Sequence, residues 1–175
     1  MIYVTLLTFI ASEMEVDEPI DIQTPKGVIK SRIGGIIDRM DSKDGTLRIV
    51  DYKTGGDADT PPHVESLFIP DKKRPTMYSR RSCMPPSCSR KQPLMVAPAL
   101  LYIHRAASES YSPVIEMGEP RKPKIPVNNF AFFEDEFRER LQALLEEIFD
   151  EKELFTQTED IKKCAYCDFK AICKR

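Results

Sequence analysis

An α/β fold is predicted for this chain by three features. Apolar and β-branched runs broken by turn signals fill the first half, a longer apolar run follows in the middle, and an amphipathic helical pattern precedes a short cysteine-rich tail. The 175 residues suffice for one domain with a core of its own.

Glu13 to Ile22 alternates loosely and carries β-branched residues, which predicts a strand. Pro25-Lys26-Gly27 is a turn signal, and Val28 to Met40 predicts a second strand on Ile29, Ile33, Ile36 and Ile37. Asp44-Gly45 is a hairpin turn, with a third strand from Thr46 to Tyr52. Gly55, Gly56, Pro61, Pro62 and Pro70 mark Thr54 to Pro75 as a loop. Leu94 to His104 predicts a buried strand, and Ser112 to Met117 can pair beside it. Glu119 to Pro126, rich in Pro and Lys, is a connector. Asn128 or Asn129 can cap a helix in which Phe133, Phe137, Leu141, Leu144, Leu145 and Ile148 recur at helical spacing. Core packing explains that stripe without a cofactor. Tyr78 to Ser89 has neither period, and it holds two prolines and two stray cysteines, Cys83 and Cys88.

With 31% charged residues and a net charge of −2, a soluble globular protein is expected, and the overall charge argues neither for nor against nucleic acid. Lys72, Lys73, Arg74, Arg80, Arg81, Arg90 and Lys91 form a local basic run, which reads as a solvated loop before it reads as a binding face. No membrane span is expected. Met1 to Ala11 is apolar but lacks a basic leader and runs straight into Glu13, Glu15, Asp17 and Glu18; it reads as a core element, not a signal peptide. Five cysteines without a secretory signal point to the reducing cytoplasm and to thiols as metal ligands.

The segment from Gly35 to Gly55 carries the chemistry. Asp38 ends one apolar strand, Asp51 ends the next, and Lys53 follows two positions on. Strand residues two apart face the same side, so Asp51 and Lys53 point together, and a hairpin can bring Asp38 beside them. Two close carboxylates repel unless a cation lies between them, and an all-oxygen donor set suits Mg²⁺ or Mn²⁺ better than zinc. Such an ion activates water and clamps phosphate oxygens, as phosphodiester hydrolysis requires. Asp38 and Asp51 are the expected ligands, with the backbone carbonyl of Tyr52 as a third oxygen. Lys53 is expected to orient the water or neutralise charge on phosphorus. A lone D-x-K is ordinarily a surface salt bridge; here the flanking sequence, G-I-I-D-R and then I-V-D-Y-K-T-G, adds weight.

That combination resembles the PD-(D/E)XK nuclease superfamily, in its RecB-like branch. The resemblance implies a restriction-endonuclease-like core, a mixed sheet flanked by helices, with Asp38, Asp51 and Lys53 as the catalytic metal site. It also implies a glutamate on the strand before the hairpin, for which Glu13 is the nearest match and Glu15 the second. Arg39 is expected either to contact a phosphate or brace Asp38, or to form a plain salt bridge. Two features of the branch are missing. One is a histidine on a helix before the first strand. Only His63 and His104 occur, both after the hairpin, and His104 reads as structural. The chain is therefore expected to begin inside the domain. The other is a Q-x-x-x-Y helix after D-Y-K, due where Tyr78 to Ser89 lies. Codons can be chosen for Ser79 to Cys88 whose adjacent frame reads Gln-Thr-Phe-Leu-Tyr-Ala-Ala-Ile-Met, which suggests a compensated frameshift that resequencing would decide.

Cys164, Cys167 and Cys173 form C-x₂-C-x₅-C. Thiolates so spaced suit a metal or cluster, a four-iron–four-sulfur (4Fe–4S) cluster or zinc. The spacing resembles the iron–sulfur staple of AddB-type helicase–nucleases and of CRISPR-associated four-cysteine exonucleases. In those the fourth cysteine lies upstream of the catalytic strands, where this chain has none. A terminal helix with inert thiols is the plainer alternative. Lys162, Lys163, Lys170, Lys174 and Arg175 around the module could touch phosphates. The expected organisation is a nuclease core over residues 1–157 and a cysteine module over 158–175 packed on it. The expected activity is metal-dependent, exonuclease-type cleavage of DNA, as the domain of a recombination or repair helicase–nuclease whose helicase lies elsewhere, since no Walker-type loop occurs here. The alternatives are a catalytically inactive fragment of that fold that binds DNA or a partner, and a carboxy-terminal zinc-binding interaction module.

Overall fold

The computed structural model describes residues 7–55, 60–69, 95–108, 110–154, 156–159, 161–165 and 167–174. The irregular Tyr78 to Ser89 stretch and the basic run from Lys72 to Lys91 lie outside them. The described residues form a mixed α/β fold built on a four-stranded sheet in the order β1-β2-β3-β4. It is consistent with a restriction-endonuclease-like core.

The first two strands are long: β1 spans Leu7–Thr24 and β2 spans Gly27–Lys43. They pair antiparallel from Leu7↔Lys43 to Thr24↔Gly27, with a register shift between Phe9 and Ala11. Pro25 and Lys26 form the tip. Both strands outrun the predicted Glu13–Ile22 and Val28–Met40, because ladder hydrogen bonds carry them past the ends of the apolar pattern. Of the apolar run from Met1 to Ala11, the first six residues lie outside the described ones, and Leu7 to Ala11 open β1 at the sheet edge. Leu7, Phe9 and Ile10 are exposed there, not in the core that the sequence suggested.

The Asp44-Gly45 turn joins β2 to β3 (Thr46–Lys53). Both turn residues have positive φ, 51° and 78°, as a two-residue hairpin requires. Five pairs tie β2 to β3, from Lys43↔Thr46 to Arg39↔Val50. β4 (Met95–Tyr102) then runs parallel to β3, from Thr46↔Met95 to Lys53↔Tyr102. It ends two residues before the predicted boundary, so His104 lies on an exposed 3₁₀ turn with its ring edge-on to Tyr102, not on a buried strand. Ser112 to Met117 does approach β4, through an Ala99↔Val114 bridge and a 2.8 Å bond from the Leu100 amide to Pro113 O. Its end, β5 (Glu116–Met117), pairs with β6 (Ile125–Pro126) as a separate small sheet.

Asn129 Oδ1 accepts from the Ala131 amide at 3.2 Å and caps a 3₁₀ turn, after which α1 runs from Glu134 to Ile148. Glu134, Asp135 and Glu136 favour its amino-terminal dipole. Phe137 is its one buried residue, packed against Phe68 and Phe130 with ring centroids at 5.1 and 5.9 Å. That cluster includes Val64, Leu67, Leu100, Tyr102, Ile115 and Val127. A second cluster joins Ile37, Met40, Leu47, Ile49 and Val96. Arg138 reaches Glu18 at 3.3 Å, and Gln142 donates to Asp21 O at 2.9 Å, fastening α1 to β1. α2 (Ile161–Cys164) opens the carboxy-terminal cysteine segment.

Candidate active site

The site lies where the sheet forks. Arg39↔Val50 is the last pair between β2 and β3, and from there toward its amino-terminal end β2 stays paired, among the described residues, with β1 alone. At the fork the Asp38 carboxylate takes over the ladder's role: Oδ2 accepts from the Tyr52 amide at 3.0 Å. Asp38 is thereby tied to the peptide unit that links Asp51 to Tyr52.

Asp51 and Lys53 share one face of β3, as alternation requires, and Lys53 Nζ lies 2.6 Å from Asp51 Oδ2. Asp51 is buried, and the Lys53 side chain is largely covered. A buried carboxylate needs a cation or donors beside it. Ile49, Val50 and Asp51 are buried in succession, so β3 is covered on both faces up to Asp51, while Tyr52 beyond it is exposed on the opposite face.

Glu13 lies across from Asp38: the ladder steps from Ser12↔Arg39 to Met14↔Ile37, and Glu13 and Asp38 are the residues between. Its φ of 49° is unusual for a non-glycine residue in a strand, and it is exposed. Glu15 pairs with Ile36, further along the arm.

Sequence reasoning missed Asp41 and Arg48. Asp41 is wholly buried. It receives a forked pair of bonds from Arg48, at 2.6 and 2.9 Å, and a third contact from Arg39 at 2.8 Å. Arg39 also donates toward the Tyr52 hydroxyl at 3.4 Å. That hydroxyl first, and the Asp41 carboxylate second, hold the Arg39 guanidinium above its ordinary pKa against the opposing effect of burial. The signal was in the sequence. A two-residue turn at Asp44-Gly45 fixes Asp41 opposite Arg48, and opposite charges face to face in an apolar hairpin mark a pair.

Cys164, Cys167 and Cys173 are half-buried free thiols. Among the described residues no group of three or more His, Cys, Asp or Glu side chains is set to hold a metal ion, at the cysteine segment or elsewhere. His63 precedes a short 3₁₀ turn, 3.9 Å from Glu65, and is exposed.

A mixed four-stranded sheet thus carries Asp38, Asp51 and Lys53 at neighbouring positions of β2 and β3. The chain belongs to the PD-(D/E)XK nuclease superfamily, whose family model matches residues 4–174. No curated protein and no solved structure matches it. Members of this superfamily are usually nucleases that use a divalent metal such as Mg²⁺, and a nuclease of this kind binds DNA. No helix among the described residues is long and apolar enough to cross a membrane.

Proposed function

We propose that this chain is a divalent-metal-dependent DNA nuclease domain whose working groups are Asp38, Asp51 and Lys53. The observation that carries the reading is the pairing of Asp51 with Lys53 at 2.6 Å on the strand whose next amide is held by Asp38. The donor set fits a hard cation. Both side-chain ligands are carboxylates, and a strand residue's N–H and C=O point the same way, which turns the Tyr52 carbonyl toward the side from which Asp38 accepts its amide bond. Mg²⁺ or Mn²⁺ held there supplies an activated water and charge to offset the phosphate. Asp38 and Asp51 would hold the ion, the Tyr52 carbonyl would add a third oxygen, and Lys53 would direct its ammonium at the water or at a phosphate oxygen. Glu13, facing Asp38 across the β1–β2 ladder, is the candidate for a further carboxylate.

The finer assignment follows the motifs. G-I-I-D-R, I-V-D-Y-K and the C-x₂-C-x₅-C tail support a RecB-like branch member acting as an exonuclease within a cytoplasmic recombination or repair helicase–nuclease. They also support a core over residues 1–157 and a cysteine module over 158–175. Cys164, Cys167 and Cys173 then hold a 4Fe–4S cluster, or zinc, together with a ligand from elsewhere. Iron, zinc and sulfide analysis after anaerobic purification separates these from inert thiols. The missing Q-x-x-x-Y motif favours the second reading, an inactive fold that binds DNA or a partner. Labelled single- and double-stranded DNA incubated with Mg²⁺ or Mn²⁺ decides between the two. Cleavage abolished by Asp51→Ala and Lys53→Ala supports the nuclease, and metal-independent binding without cleavage refutes it.

A further inference from the structure

Only five residue pairs join β2 to β3, and Asp38 stands just past the last of them. A slip of one residue in so short a ladder would turn Asp38 to the other face and carry it away from Tyr52. Something must pin the register. The Asp44-Gly45 turn pins one end. From the middle of the ladder to its other end the pinning groups are polar, beginning at the wholly buried Asp41.

Arg48, Val50 and Tyr52 alternate with Asp51 and Lys53 along β3 and so point to the opposite face. On that face Asp41 of β2 locks to Arg48 of β3, Asp41 also holds Arg39, and Arg39 crosses back to Tyr52 of β3. The strands are thus stitched twice, at Asp41–Arg48 and at Arg39–Tyr52, by one chain of contacts. Arg39 Nε is buried with no acceptor among the described residues, so the guanidinium is located by Asp41 and Tyr52. Tyr52 is bound at both ends: its hydroxyl receives Arg39 and its amide donates to Asp38.

We propose that Asp41 is a positioning residue for the Asp38 carboxylate, acting through Arg39 and Tyr52 from the face of the sheet opposite Asp51 and Lys53. A carboxylate with no exposed surface does not touch substrate. Its two guanidinium partners instead fix where Tyr52 presents its amide, and hence where the Asp38 oxygens stand relative to Asp51. This inference rests on the reading of Asp38 and Asp51 as ligands of a divalent ion.

The test is Mn²⁺ binding to the full chain, followed by electron paramagnetic resonance, with DNA cleavage measured in parallel. Asp41→Asn removes the anion while keeping the shape. Tyr52→Phe keeps the buried Asp41–Arg48 pair and removes only the hydroxyl, so it serves where Asp41→Asn does not fold. Each folded variant is expected to lose affinity for Mn²⁺, on the order of tenfold for Asp41→Asn and less for Tyr52→Phe. The cleavage curve should move to higher metal concentration by the same factor. A purely structural Asp41 would lower the melting temperature and leave the Mn²⁺ dissociation constant of the folded fraction unchanged. Wild-type affinity in folded Asp41→Asn, or in Tyr52→Phe should the first not fold, overturns the proposal alone. A wild-type chain that binds no Mn²⁺ overturns the metal-site reading and this inference with it.

Discussion

The Tyr52 amide donates to Asp38 Oδ2 at 3.0 Å where β2 and β3 cease to be ladder partners. A side chain has taken the place of a backbone acceptor. The carboxylate therefore has a structural duty, ending the ladder, beside the chemical one proposed for it.

Those two duties separate by mutation. Asp38→Asn retains an oxygen that can accept from Tyr52 but loses the charge. It should melt near the wild-type temperature while DNA cleavage falls at least about 100-fold, the upper end of what removing a group that merely supports a metal ligand costs. Asp38→Ala should lose cleavage equally and also about 1 kcal/mol of stability, because the amide loses its acceptor. Calorimetry beside a cleavage assay reads both. Substantial cleavage by Asp38→Asn would remove Asp38 from the metal site.

Lys53 Nζ stands 2.6 Å from Asp51 Oδ2. Lys53→Met leaves the carboxylate without that charge, at a cost of about 3 kcal/mol for a pair covered to this extent. The vacated site is more negative, so Mg²⁺ should bind the folded variant more tightly and stabilise it by mass action. The Mg²⁺-induced rise in melting temperature should exceed that of wild type, with cleavage still absent because no ammonium serves the phosphate. Equal rises in both proteins would mean that Lys53 and the ion do not share Asp51.

What the sequence made legible follows from locality. The Asp44-Gly45 turn fixes a register, and with it the company of Asp38, Asp51 and Lys53, from neighbouring residues alone. The same register contains Asp41 opposite Arg48, a pair readable from the two-residue turn alone. The exposure of Leu7, Phe9 and Ile10 was not readable, since it depends on β1 lying at the sheet edge, a matter of strand order. His104 was misplaced for a related reason. Apolar pattern gave β4 its position, but the 3₁₀ turn at Ile103–Arg105 ends it early. Cysteine spacing is local, whereas the meeting of thiols with a ligand from elsewhere is a tertiary property that spacing does not encode.

Asp17 and Arg32 sit diagonally across the β1–β2 arm and bond directly. The Arg32 hydrogen bond first, with its charge adding to it against desolvation, holds the Asp17 carboxyl below its ordinary pKa. A depressed folded-state pKa contributes stability above the unfolded value and loses it as pH falls through the folded one. The contribution is therefore fully present and constant near neutrality, and its loss is confined to acid conditions. Arg32→Gln should raise the Asp17 midpoint in a carboxyl-resolved NMR titration toward the ordinary carboxylate range. An unmoved midpoint would mean that the pair does not form in solution.

Gly34 and Gly35 are neighbours on β2 with opposite expectations. A Cβ built on Gly34 would meet Val16 O at 2.5 Å and Asp17 Cβ at 2.8 Å, whereas one on Gly35 meets nothing within 4 Å. Backbone cannot swing aside as a flexible side chain can, so Gly34→Ala must push β1 from β2 at the middle of the arm. The expected cost is about 2 kcal/mol, in the range for overpacking. Gly35→Ala should be neutral or slightly stabilising, because alanine has fewer unfolded conformations to lose. Because Asp17 faces Gly34 and bonds Arg32, Gly34→Ala should also raise the Asp17 midpoint, while Gly35→Ala should leave it in place. Thermal melts and the carboxyl titration of the two variants check this together. Equal stabilities would show that the two strands are not as close at Val16–Asp17 as the arm's register requires.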